Sequence, residues 1–134
     1  MAYSKEGQQE AIAILQRAKE NYQNGLNWCQ KTAAKGKNGR FTLPGDTDTT
    51  AVCLSSAIDR AAQQLKREGL INYIVNNGHL IADKTIVIEG RKLDPDTFSI
   101  PSYNDKLGRT RKEIYQVLEN SIKALKEEQT EENV

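Results

Sequence analysis

The chain contains one histidine and two cysteines, Cys29 and Cys53, and that scarcity removes several chemistries at once. The short paired Cys and His spacings of a structural zinc site cannot be assembled, so no metal is expected. No glycine-rich phosphate loop or dinucleotide fingerprint is present, so no cofactor is expected. No apolar run approaches the roughly 20 residues needed to span a bilayer. The opening "MAYSKEGQQEAI" lacks a basic start leading into an apolar core, so a cytoplasmic setting with both cysteines as free thiols is expected. An excess of charge is also missing. Nineteen Lys and Arg face eighteen Asp and Glu, a net charge of +1, which gives no reason to expect nucleic acid or anionic membrane as a partner.

What remains is the composition of one ordinary domain, 37% hydrophobic and 28% charged over 134 residues. In "QQEAIAILQRAKENYQNGL", Ala11, Ile14, Leu15, Ala18, Tyr22 and Leu26 recur at helical spacing, and Gly25 is set to loosen the end. Residues 31–48 hold three glycines and a proline and read as a loop with a short extended piece at 40–43. A second helix is expected from a cap at Asp48, Thr49 or Thr50, with Leu54, Ile58, Ala61 and Leu65 inward and Gly69 as its stop. The β-branched "KTIVIEG" predicts a strand and "NNG" a tight turn. Residues 94–107, with two prolines, look irregular. A third helix opens with the capping box "TRKE" at Thr110 and Glu113, carrying Ile114, Val117, Leu118, Ile122 and Leu125. The expected fold is α+β: a predominantly helical single domain over 1–134, with three amphipathic helices and a small β-hairpin or sheet between the second and third. The acidic stretch 127–134 is expected to fray.

Candidate chemistry is sparse. Cys53 lies near a helix start, where a thiolate is favoured. Cys53, Ala57 and Ala61 also make a strip of small residues, which favours packing over reactivity. Cys53, His79 and Asn104 follow the order nucleophile, base, orienting residue, and so define a cysteine-dependent hydrolase or acyltransferase alternative. In "YNDKLGRTRKE", Asn104 and Asp105 suit a turn, while Arg109 and Arg111 beside a helix N-terminus suit a phosphate or carboxylate. Trp28 is either a core anchor or a pocket wall. The basic loop carrying Lys31, Lys35, Lys37 and Arg40 leaves a nucleic-acid-associated accessory role as a second alternative.

The segments "NWCQKTAAKGKNGRF", "AVCLSSAIDRAA" and "YNDKLGRTRKEIYQVLENSIKAL" resemble a family of small uncharacterised domains of unknown function. Trp28, Cys53, Arg60, Asn104, Asp105, Arg109 and Thr110 are the matching positions. The resemblance leaves out residues 70–100, and Ser56 stands where glycine is expected. It implies that the tryptophan, the cysteine and the Asn-Asp to Arg-Thr turn belong to one arrangement. The resulting expectation is a non-enzymatic binding module for a small anionic ligand or a protein partner, with homo-oligomerisation compatible. Its ligand-binding candidates are Trp28, Arg60, Asn104, Asp105, Arg109, Thr110 and Arg111.

Overall fold

Apart from Leu26, which is half-buried and lies past the end of the first helix, each expected apolar stripe is buried in the computed structural model, which describes residues 3–132. Helix α1 (Lys5–Gln23) starts where the Ser4 hydroxyl accepts the Gly7 N–H at 3.0 Å. It ends before Gly25, whose φ of +109° no helix accommodates. Ala11, Ile14, Leu15, Ala18 and Tyr22 are all buried. These residues pack against α2 (Leu54–Arg67), α3 (Gly78–Leu93) and α5 (Arg111–Glu132), which makes α1 the common partner of the long helices. Short α4 (Ile100–Asn104) completes the helical part, opened by a reciprocal capping box between Ser99 and Ser102.

The sheet lies between α1 and α2, whereas the sequence pattern placed it between the second and third helices. Strands β1 (Asn27–Trp28), β2 (Ala34–Gly36) and β3 (Thr49–Val52) pair in the order β1-β3-β2. β1 runs parallel to β3 and β2 antiparallel to it. The caps expected at Asp48, Thr49 and Thr50 are corrected accordingly. Thr49 and Thr50 belong to the central strand, and the N-cap of α2 is Cys53. Gly69 does stop α2, with φ +73° and the Leu70 N–H reaching back to the Leu65 carbonyl at 2.9 Å.

The predicted strand "KTIVIEG" is helical. Residues 78–93 form α3, and the buried side of that helix is Gly78, Ile81, Ala82, Thr85, Ile86, Glu89 and Gly90. Four of those seven are not hydrophobic, so a helical stripe was invisible in a hydropathy pattern, while Ile88 and Leu80 point outward. The Asn-Gly pair is not a hairpin turn either. Asn77, at φ 56°, is the left-handed N-cap of α3. Five helices rather than three therefore make up the described residues, and the irregular stretch 94–107 contains α4. α5 runs on through the acidic segment, where the Gln129 amide donates to the Lys5 carbonyl at 3.2 Å. Residues 133–134 lie outside those described.

Candidate functional site

Parallel β1 and β3 separate just after the Trp28–Val52 pair, and the side-chain amide of Asn104 fills the gap. Its Oδ1 accepts the Leu54 N–H at 2.9 Å and the Trp28 indole N–H at 2.6 Å. Its Nδ2 donates to the Cys29 carbonyl at 3.1 Å and to Asp105 Oδ1 at 2.8 Å. In a continuing parallel ladder the Leu54 N–H would meet the Cys29 carbonyl directly. The Asn104 amide joins those two groups instead, and at 1% exposure it is sealed from water. Asp105 Oδ1 also takes the N–H of Lys31, a non-glycine residue held at φ 65°. The Gln30 amide donates to the carbonyls of Asn104 and Lys106, each at 3.0 Å. These bonds gather Trp28, Asn104 and Asp105 around the backbones of Cys29 and Leu54.

Beside this junction is an open cleft of about 340 Å³, lined by Lys31, Thr32, Ala33, Cys53, Ser55, Ser56, Pro101, Asn104 and Asp105. The N-terminus of α2 opens into it. Cys53 makes no side-chain capping bond to the backbone. Its thiol donates to Ser56 Oγ at 3.3 Å. The Leu54 N–H is taken by Asn104. Ser55 and Ser56, the second and third helical residues, lie too early for intrahelical partners for their own N–H groups. Cys53 is half-buried, not packed into a strip with the fully buried Ala57 and Ala61. Ser55 and Pro101 are shared with an adjoining hollow of about 450 Å³. Val87, Ile88, Ile100 and Phe98, which is 76% exposed, give that hollow its apolar part, and Tyr3, Asp83, Lys84 and Ser99 line it as well.

The arginines of the candidate set face elsewhere. The Arg109 side chain is 5% exposed, bound to Asp94 Oδ2 at 2.7 Å and Glu113 Oε2 at 2.9 Å. It donates through Nε to the Tyr103 carbonyl and lies 3.8 Å above that residue's ring. Arg111 donates to the carbonyls of Tyr22 and Leu26 and to the Tyr115 hydroxyl. It caps the end of α1, which explains a basic residue in the first turn of α5. Arg60 donates to the Pro44 and Asp46 carbonyls, holding the loop before β3. Thr110 and Glu113 form the predicted capping box.

His79 is not among the residues lining the Cys53 cleft. Its Nδ1 meets the Tyr73 hydroxyl at 3.2 Å, and its Nε2 lies 3.7 Å from Asp83 and 3.9 Å from Asp59. The geometry therefore brings Cys53 to Asn104 but not to His79. Ser55 and Pro101 are cleft residues that sequence patterns did not single out, while Lys31 had been read only as part of a basic loop and Ser56 only as a position where glycine was expected. The signal for them was the placement of β3, since a strand ending at Val52 makes Ser55 and Ser56 first-turn residues.

A family model described as a family of unknown function, DUF6197, matches residues 6–124. The chain belongs to this family. The matched range includes residues 70–100 and α3, which the motif resemblance left outside. No curated protein and no solved structure matches. Among the described residues, no helix is long and apolar enough to cross a membrane.

Proposed function

We propose that this domain is a non-enzymatic binding module whose ligand is a small anion bearing an apolar portion. The observation that supports this is the cleft at the N-terminus of α2, joined through Ser55 and Pro101 to the Ile88–Phe98 hollow. A carboxylate or phosphate in the cleft would meet the Ser55 and Ser56 N–H groups, the positive end of the α2 dipole and Lys31. The apolar portion would lie against Ile88 and Phe98, covering surface that water now wets. The binding set is then Lys31, Ser55 and Ser56, with Asn104, Asp105 and Trp28 holding the cleft's shape. Arg60, Arg109, Thr110 and Arg111 act as structural residues.

Titration of isotope-labelled protein with octanoate, and separately with inorganic phosphate, tests this by amide chemical shifts. Both probes are expected to move Ser55 and Ser56, and octanoate alone to move Ile88 and Phe98. Ser55→Glu places a carboxylate where the ligand's would sit, at a helix position that favours acidic residues. It should keep the fold and weaken octanoate about tenfold, or 1.4 kcal/mol. Shifts scattered over the surface, or unchanged affinity in Ser55→Glu, would refute the proposal.

One observation favours a second reading, a thiol hydrolase or acyltransferase: Cys53 itself lines the cleft. That reaction requires a base, and the described residues at the cleft include no histidine. Turnover of a thioester or activated ester that disappears in Cys53→Ser would select it over the binding module.

A further inference from the structure

Cys29 and Cys53 follow immediately after the paired Trp28 and Val52 of the parallel strands. The Cys29 N–H still donates to the Val52 carbonyl at 3.2 Å, and the Cys53 N–H to the Ala33 carbonyl at 3.0 Å, so both residues leave the sheet with their backbones held. Side chains alternate faces along a strand. Two residues at equivalent places in parallel neighbours therefore leave on the same side of the sheet. The Asn104 amide ties the Cys29 carbonyl to the Leu54 N–H and fixes the offset between the two backbones. The thiols differ in access. Cys53 lines the cleft, whereas Cys29 is buried and not among the lining residues, its thiol donating to the Thr32 carbonyl at 3.6 Å.

From this placement we propose that Cys53 and Cys29 form a thiol–disulfide site, with Cys53 the entry thiol and Cys29 the resolving thiol, closed by a low-molecular-weight disulfide. In the first step the Cys53 thiolate attacks one sulfur of the external disulfide. The external S–S bond breaks, one small thiolate leaves, and Cys53 carries a mixed disulfide. In the second step Cys29 loses its proton and attacks the Cys53 sulfur, displacing the second small thiol. Two protein thiols are oxidised to one disulfide, and one external disulfide is reduced to two thiols. The order of attack follows from access, and from the Cys29 thiol being pushed up to about 11, first by burial and then by the neighbouring Cys53 charge. The exchange does not depend on the cleft holding a ligand.

The test is intact-mass and peptide analysis of the folded protein incubated at neutral pH with glutathione disulfide, followed by alkylation in denaturant. Wild type is expected to lose two hydrogens and both alkylatable thiols, and to yield a linked peptide containing Cys29 and Cys53. Cys29→Ser should stop at the mixed disulfide on Cys53, and Cys53→Ser should leave Cys29 free. The linked peptide from wild type alone supports the site, so the conclusion survives a variant that fails to fold. A wild-type product that keeps the adduct on Cys53 with Cys29 alkylatable, or that takes up nothing, would overturn the proposal.

Discussion

Asn104 carries more of the structure than any other polar side chain near the cleft. Its amide pairs the Trp28 indole, the Leu54 N–H and the Cys29 carbonyl, and the last two are buried away from water. Asn104→Ala leaves buried donors and an acceptor without a partner, and is expected to cost about 3 kcal/mol in urea unfolding, with a shift in Trp28 emission. Asn104→Asp retains the acceptor but loses the donor and sets a second carboxylate against Asp105, so it should destabilise as well. A loss within about 0.5 kcal/mol for both, the range of ordinary surface changes, would show that the amide is not the junction's support. Turn propensity was enough to single out "ND" in the sequence. The partners were not legible, because they lie 50 to 76 residues away and two of the bonds are to backbone groups. The same limit applied to Arg109 and Arg111. Basic residues at a helix start suggest an anion, and only the fold shows that Asp94, Glu113 and the end of α1 already occupy them.

Among the elements, α1 and α3 come into close contact at Gly78. A Cβ added there would fall 2.5 Å from the Glu10 Cβ and 3.0 Å from Glu10 Oε1. Glu10 has little freedom to give way, because its Oε2 accepts the Asn72 N–H at 2.6 Å and the Asn76 amide at 2.9 Å. Gly78→Ala is therefore expected to lose about 1–3 kcal/mol through overpacking, although alanine is ordinarily the better helix former. A thermal melt showing Gly78→Ala at or above wild type would mean the helices separate there freely. This crossing also explains what sequence patterns could and could not show. α1, α2 and α5 were legible because each turns leucine, isoleucine, valine or alanine toward its neighbours at helical spacing. α3 was not, because it turns Gly78, Thr85, Glu89 and Gly90 inward. Small residues let α1 and the Tyr103 ring come close, and Thr85 and Glu89 find partners in the Ile81 carbonyl and Lys92. The short strands were missed for a different reason. Two to four residues in glycine-rich surroundings have no period of their own, and their pairing is decided by β3, which twelve or more intervening residues separate from each partner.

For the molecule as a whole, the charge network around Asp94 sets how the fold responds to acid. Asp94 ends α3, and its carboxylate accepts from Lys106 and from Arg109, so one group ties the end of α3 to the turn after α4 and to the entry of α5. The hydrogen bond from Lys106, and next that from Arg109, hold its carboxyl at about 2, below the ordinary value for Asp of about 3.9. Glu113 is also lowered, chiefly by the Thr110 N–H. For a depressed carboxyl, the folded state binds fewer protons than the unfolded state between the two values. The stability it contributes is complete above about pH 4 and is lost as pH falls through that value toward 2. The melting temperature is thus expected to hold near neutrality and to drop between about pH 4 and pH 2. Asp94→Asn should melt lower than wild type at pH 7, because Arg109 is left enclosed without its carboxylate. Glu113 still pairs with Arg109 in this variant, so the loss reflects one of its two carboxylates. The variant should also lose less on acidification, because the titrating group is gone. Melting curves of both proteins at several pH values across that range measure the slope directly. Parallel curves, offset but with the same acid slope, would show that other carboxylates set the acid response and that the Asp94 ties are only structural.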